Sequence, residues 1–417
     1  MNSPSQPSLQ TAWLKVFAGT GVNLCLGVLY TWSVIAAALR TQLGWTATQS
    51  QFPYTLACLV FAACMIPGGR MVDKIGPRWV VTAAAILVGA GMFLSGLTAQ
   101  LTGITIGFGL LVGAAMGFGY AAPTPAAVKW FQPHKKGLIA GLVVGGFGGA
   151  SIYIAPLTNS LLKNYGVQNT FYILGGIFFA VMVLLAQYLS IPPAGYVPYG
   201  GPAPQTKAGA ATASKRDYTP GEMVKTPQFY LLWLMFLFGS SAGLMIIGHL
   251  ATISKVQGGI TWGFILVAVL AVANAGGRIF FGWLSDKLGR TNTMLLVFAI
   301  QAVNMFMFIN YTSAATLLIG SVLTGASYGA CLSLFPTVIF DYYGLKNGGY
   351  NYSFVFSAWG VASLIGPIIA GRAMDLTNSY QGGYTVSAIL MLVAAGLAII
   401  TKPPKTVKLA SDAKISG

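Results

Sequence analysis

The chain has 417 residues, a formal net charge of +16 and only 7% charged side chains against 55% hydrophobic ones. Soluble domains carry about 25% charged residues, so a mean hydropathy of +0.72 excludes a soluble fold and places the chain in a membrane. A membrane-crossing helix needs about 20 mostly apolar residues. In chain order that length predicts twelve spans, at 12–38, 48–71, 78–99, 102–130, 137–162, 170–191, 228–253, 262–285, 291–312, 315–340, 349–373 and 381–401. The segments are continuously apolar, whereas the strands of a membrane barrel alternate. The 53 glycines cluster inside the spans, as in "GAAMGFGYA" and "VGGFGGAS", where small residues let helices approach closely in lipid.

The N-terminus, "MNSPSQPSLQTAWLK", lacks a basic start before a short apolar core, so no cleavable signal peptide is expected. The stretch Pro192 to Thr226 is rich in Pro, Gly, Ala and Ser and reads as a linker. The expected organisation is a six-helix half over 1–191, a cytoplasmic linker over 192–227, a second half over 228–402 and a tail over 403–417. With both termini in the cytoplasm, eighteen of the 23 Lys and Arg fall on the cytoplasmic side. Arg40, Lys163, Lys255 and Arg372 fall outside, and Arg278 falls within a span. This bias follows the positive-inside rule and suits a multi-pass protein of the inner (plasma) membrane. The net charge then reflects topology, and no nucleic-acid partner is expected.

Cys25, Cys58, Cys64 and Cys331 all sit in apolar runs without metal spacing or a disulfide pattern, so each reads as packing. No metal or cofactor is expected. There is no phosphate loop and no Ser/His/Asp constellation, which argues against an ATP-driven pump and against an enzyme.

The two halves echo each other. "GGRMVDKIGPR" (68–78) follows the second span and "FGWLSDKLGR" (281–290) the eighth, with Asp73 and Asp286 offset by 286 − 73 = 213. "GFGYAAPTP" (117–125) and "GASYGACLS" (325–333) match with Tyr120 and Tyr328 offset by 328 − 120 = 208. "GGASIYIAP" (148–156) likewise matches "GVASLIGP" (360–367). Duplicated six-helix halves with a site between them mark a rocking transporter.

On these motifs the chain resembles the major facilitator superfamily. The segments "YTWSVIAAALRTQLGWTATQSQ" (30–51) and "PGEMVKTPQFYLLWL" (220–234) resemble its oxalate:formate antiporter branch, which is close to the monocarboxylate transporters. The resemblance implies an alternating-access cycle that carries a small carboxylate. It also implies that Asp73 with Arg78, and Asp286 with Arg290, are loop latches that hold one conformation.

The most informative residue is Arg278. A cation at the centre of a membrane helix costs roughly 2.5–3.5 kcal/mol. All seven acids, Asp73, Asp217, Glu222, Asp286, Asp341, Asp375 and Asp412, fall at helix ends, in loops or in tails. No mid-membrane acid is left to pair with Arg278. Either it snorkels to the cytoplasmic interface, or its partner is the substrate. A guanidinium holds a carboxylate with two parallel hydrogen bonds. In the families resembled, an arginine at the matching place binds substrate carboxylate. The departures matter as well. Trp359 stands where the antiporter has a second cation, a lysine. Asn274 stands where animal-type monocarboxylate transporters have an aspartate, and "GVLYTWSV" lacks their first-span lysine. A single cation suits a monoanion.

Around Arg278 the expected site includes Asn274 and the pseudosymmetric phenols of Tyr120 and Tyr328, each able to donate a hydrogen bond. Leu29, Tyr30, Phe335, Phe356 and Trp359 are candidates for apolar walls, with ordinary helix packing the alternative for each. His249 is the one conventional side chain inside a span that titrates near neutral pH, and so the candidate proton carrier; a structural bond to a backbone carbonyl is its alternative. The expected function is secondary active transport of a small monocarboxylate of the L-lactate or pyruvate type, coupled to a proton and carried out by a monomer. Anion exchange of the oxalate:formate type is the alternative. A small-anion channel is a further one, disfavoured by the duplicated halves and the latches.

Overall fold

The computed structural model describes residues 8–131, 136–193, 196, 217–344 and 347–404. Most of the 192–227 linker and of the 403–417 tail lie outside the described residues, as does the side chain of Asp73. Among the described residues, eleven apolar helical stretches are long enough to cross a membrane, and the longest, Ile139–Ala186, spans 48 residues. It is broken at Gly166, whose φ of 74° and ψ of 179° are not helical. The count of spans is therefore twelve. They are α1 (Leu9–Leu43), α2 (Phe52–Ile75), α3 (Pro77–Thr98), α4 (Leu101–Val128), α5 (136–165), α6 (167–186), α7 (Pro227–Gly258), α8 (Gly263–Leu288), α9 (Arg290–Phe308), α10 (Ala314–Tyr343), α11 (Gly348–Thr377) and α12 (Gln381–Ile400). Large apolar side chains such as Phe17, Ile279 and Ile399 are 65–77% exposed around the bundle, a surface suited to lipid and not to water.

The duplication read in the motifs is present in the backbone. Gly76 and Gly289, the glycines of the two loop motifs, both adopt φ 84°, with ψ 160° and 155°. Each ends one helix and starts the next within a single residue, a reversal that a side chain would strain. Left-handed residues also close α1 and α7, at Gly44 and Gly259 (φ 69° and 64°). These caps carry both helices several residues beyond the limits that hydropathy set at 38 and 253, because a polar last turn remains helical until a residue with positive φ ends it.

Small residues bring α8 against α10. A Cβ on Gly325 would lie 2.3 Å from the Leu270 carbonyl oxygen, and one on Gly329 would lie 2.1 Å from that of Asn274. The segment "GASYG" is thus a small-xxx-small contact, and it fixes the stretch of α8 that carries Asn274 and Arg278. In α4, Gly117, the counterpart of Gly325, and Gly113 one turn earlier sit against Phe61 and Ala57 of α2.

Two faces of the bundle differ. The turns at Gly76 and Gly289 lie on one, the basic face, which carries the Lys and Arg of the two loop motifs. The opposite face is sealed between the halves. Asp375 at the end of α11 accepts from the backbone N–H of Ala47 at 2.7 Å and of Thr48 at 2.8 Å. Arg40 donates to the Tyr380 hydroxyl at 3.1 Å, and Gln51 to the Gly248 carbonyl at 3.1 Å. Pro367 removes the N–H that would bond the Ser363 carbonyl; Thr55 Oγ1 fills that place at 3.1 Å, and Ser363 Oγ returns a bond to the Thr55 carbonyl.

Asp375 is the acidic member of this seal. It is exposed, so its two bonds are worth about 1–2 kcal/mol together, less than buried charged hydrogen bonds reach. Asp375→Asn keeps one acceptor and loses the charge, and should shift the balance toward a conformation open on this face by about tenfold. Spin labels at the exposed Lys163 and Thr261, on opposite halves of this face, would read the shift as a longer distance. An unchanged distance distribution would remove Asp375 from the seal.

Candidate functional site

Between the halves a cavity of about 830 Å³ runs from mid-bundle toward the basic face. Its deep end is Arg278 of α8 with Tyr120 of α4 and Phe356 of α11; Arg70, Lys129 and Tyr350 line it near the helix ends. Arg278 lies ten residues before the end of α8 at Leu288, about 15 Å along the helix axis. That distance is long for a snorkelling side chain, and Arg278 turns into the cavity wall instead.

Arg278 Nε donates to Asn274 Oδ1 at 3.0 Å, one helical turn away. Asn274 is fully buried, and Gly329 lets α10 press against it. The amide therefore holds the guanidinium from behind and leaves its terminal nitrogens toward the cavity. From the other half, Gly148 of α5 packs against the guanidinium, close enough that a Cβ there would stand 3.4 Å from Arg278 Nη2. Among the described residues no carboxylate forms an ion pair with Arg278: the ion pairs present join Arg290 to Asp286 and Asp341.

The other candidates fall into layers. Tyr120 and Phe356 line the cavity with Arg278. Directly behind them stands an aromatic cluster: Trp359 stacks on Phe356 at 5.2 Å, and its indole N–H donates to the Tyr328 hydroxyl at 2.6 Å. The Tyr328 hydroxyl also bonds that of Tyr30 at 3.2 Å. Tyr328 is thus tied into an inter-half network, not aimed into the cavity as its partner Tyr120 is. Leu29 and Phe335 are fully buried and do not line the cavity; Phe335 stacks on Phe236 at 4.4 Å.

His249 lies on the sealed side. Its Nε2 bonds the Pro367 carbonyl at 2.9 Å, so that nitrogen carries the hydrogen, and its ring is 5.0 Å from that of Tyr380. It does not line the cavity. The loop residues behave differently again. Arg290 bonds Asp286 at 2.6 Å and Asp341 at 2.9 Å, which ties α8, α9 and α10 of one half together without reaching the other half. Arg78 lies over the Trp79 ring at 5.5 Å.

The sequence profile of the Major Facilitator Superfamily matches residues 17–314 and, overlapping, 261–415. The chain belongs to this superfamily. This facilitator is 29% identical over 366 residues to the uncharacterized MFS-type transporter YhjX of Escherichia coli, covering 85% of the chain and 86% of that protein. It is 29% identical over 400 residues to the oxalate:formate antiporter of Oxalobacter formigenes, covering 93% and 92% of the two chains. It is 23% identical to monocarboxylate transporter 13 of Rattus norvegicus, covering 81% and 76%. In fold, this facilitator is similar to a bacterial homologue of the human lysosomal transporter Spinster, solved in an inward-facing conformation. The TM-score is 0.71 at 17% identity, with 95% and 98% of the two chains covered.

Arg70, Lys129, Tyr350 and Tyr352 line the same cavity and were absent from the sequence-derived site. The charge rule already accounted for the two cations, and hydropathy carries no information on which side of a helix faces a cavity. Asp341, the second partner of Arg290, was likewise not distinguished from other helix-end acids.

Proposed function

We propose that this facilitator carries small monocarboxylates of the lactate or pyruvate type by alternating access, together with a proton. The observation that supports this reading is Arg278: a mid-membrane guanidinium held by an amide, facing a cavity and paired with no acid among the described residues. A carboxylate bound there forms charge-assisted hydrogen bonds to the terminal nitrogens, with the Tyr120 hydroxyl beside it as a further donor. Phe356, backed by Trp359, offers a short alkyl group an apolar wall. Relatives named for oxalate, formate and monocarboxylate transport agree with a small carboxylate.

Valence follows from the deep end of the cavity. Arg278 is the one cation there, and Trp359 occupies the place of a second. A monoanion neutralises the site, whereas a dianion leaves one charge without an offset in a low-dielectric wall. L-lactate and pyruvate should therefore compete for labelled L-lactate uptake at least about tenfold better than oxalate. Tighter competition by oxalate would overturn the monocarboxylate reading.

Binding a monoanion also removes the bare charge that hinders rocking through the membrane. That step by itself moves an anion, so coupling needs a separate proton carrier. His249, with Nε2 committed to Pro367, has Nδ1 left to take one; a bound water or the acid form of the substrate can serve as well. In reconstituted vesicles an inward proton gradient, with no added potential, should drive lactate uptake. His249→Ala should keep part of that drive. Uptake that ignores the gradient but rises with preloaded internal anion would make the protein an exchanger.

A further inference from the structure

The cavity is far larger than a three-carbon acid needs. At 830 Å³ it has room for more than twenty waters, at about 30 Å³ each. Three cations, Arg70, Lys129 and Arg278, are among its described lining residues, which include no Asp or Glu. They stand at two depths. Arg70 is five residues before the end of α2 at Ile75 and Lys129 lies just past the end of α4, whereas Arg278 is ten residues inside α8. Along the helix axes the two levels are separated by about 8 Å or more, beyond the span of one small carboxylate.

Arg70 is also positioned. Its Nη2 donates to the Tyr350 hydroxyl at 2.8 Å, and its guanidinium lies 5.5 Å from the centre of that ring. Tyr350 belongs to α11, on the other half, so the contact crosses the mouth of the cavity. A cation that merely followed the positive-inside rule could point to solvent or to lipid headgroups. This one is held at the rim by a residue of the other half.

We propose that Arg70 and Lys129 form a second, outlying anion subsite at the mouth of the cavity, which collects a small carboxylate from the basic side and passes it inward to Arg278. This deepens the proposed function and rests on it. A cleft lined by one sign of charge with low-dielectric walls concentrates the opposite ion, raising capture by tenfold or more. The subsite is specific for charge but not for the alkyl group, because its walls sit in water. Discrimination between acids remains with the deep level.

The test uses the full-length protein in vesicles of zwitterionic lipid. Wild type is first offered labelled L-lactate, formate and oxalate, and the best-carried anion is used from then on. Preference for oxalate at this stage overturns the monocarboxylate reading yet leaves the subsite to be tested with oxalate. Half-saturation is then measured at each face in turn, with the other face saturated. The double variant Arg70→Gln, Lys129→Gln should raise the basic-face value about tenfold at low salt and leave the opposite-face value within about twofold. Raising the ionic strength from about 0.01 M to about 1 M shortens the screening length from about 30 Å to about 3 Å. That should bring wild type up to the variant and leave the variant unchanged. Tyr350→Phe, which removes the hydrogen bond and keeps both charges, should stay close to wild type. Equal shifts at both faces, or a wild type indifferent to salt, would overturn the proposal. So would an effect that appears only when anionic lipid is present, since the two cations would then be serving a lipid headgroup.

Discussion

Arg278→Gln should abolish carboxylate transport while the protein still inserts and folds. Gln is two bonds shorter and keeps a hydrogen-bond donor, but it loses the charge and the two-pronged geometry. A charge-assisted pair within a half-buried cavity is worth about 1.5–3 kcal/mol per hydrogen bond. Losing two such bonds lowers occupancy by at least about a hundredfold. Arg278→Lys keeps the charge as a single point and cannot donate to Asn274 and to both carboxylate oxygens in the same plane. It should retain a small part of the activity. The fold should tolerate both changes, because α8 is fixed by Gly325 and Gly329 of α10 pressing on its backbone and not by the guanidinium. Vesicle uptake, with membrane-inserted protein quantified alongside, checks the series. Near-normal uptake by the Gln variant would remove Arg278 from the site.

Gly148→Leu should be as severe for a different reason. A Cβ at this position would meet Arg278 Nη2 at 3.4 Å, Cζ at 3.6 Å and Nε at 3.8 Å. Those are contact distances, so Gly148→Ala fits and should cost no more than a few-fold. The further atoms of a leucine extend beyond a Cβ that already touches the guanidinium, and are expected to compete with a carboxylate for its terminal nitrogens. Gly148→Leu therefore leaves the cation in place and covers it. Uptake should fall about a hundredfold or more, the loss expected when both charge-assisted bonds go unformed. The graded outcome separates occlusion from loss of charge. If leucine transports as alanine does, substrate does not approach Arg278 from the α5 side.

Both changes act on a residue legible in the sequence alone. Arg278 stood out because a cation in an apolar helix needs a partner, and a count of seven acids left none at that depth. The duplicated loop motifs gave the two halves, and the matching dihedral angles at Gly76 and Gly289 are the backbone form of the same repeat. Span number was legible for a similar reason, as the break at Gly166 between α5 and α6 falls where hydropathy left a gap.

What was not legible depends on helix rotation and on contacts distant in sequence. Tyr120 and Tyr328 match in the repeat, yet one lines the cavity while the other holds Trp359 and Tyr30. Pseudosymmetric halves that meet asymmetrically give equivalent residues different surroundings, and a motif cannot show this. Arg70 and Lys129 were counted as topology, because the sequence does not distinguish a basic residue on a cavity wall from one in a loop. The clamp of Asp375 on Ala47 and Thr48 joins residues more than 300 positions apart through backbone donors, which leave no trace in side-chain pattern.

Counterflow of labelled L-lactate tests the central assignment most directly. Vesicles are preloaded with unlabelled L-lactate and diluted into a trace of label, with wild type and Arg278→Gln measured side by side. Wild type should show a transient accumulation of label above equilibrium, which only a carrier that binds lactate and exchanges it across the membrane can produce. The Gln variant should show none. An overshoot of equal size in both would contradict Arg278 as the carboxylate site.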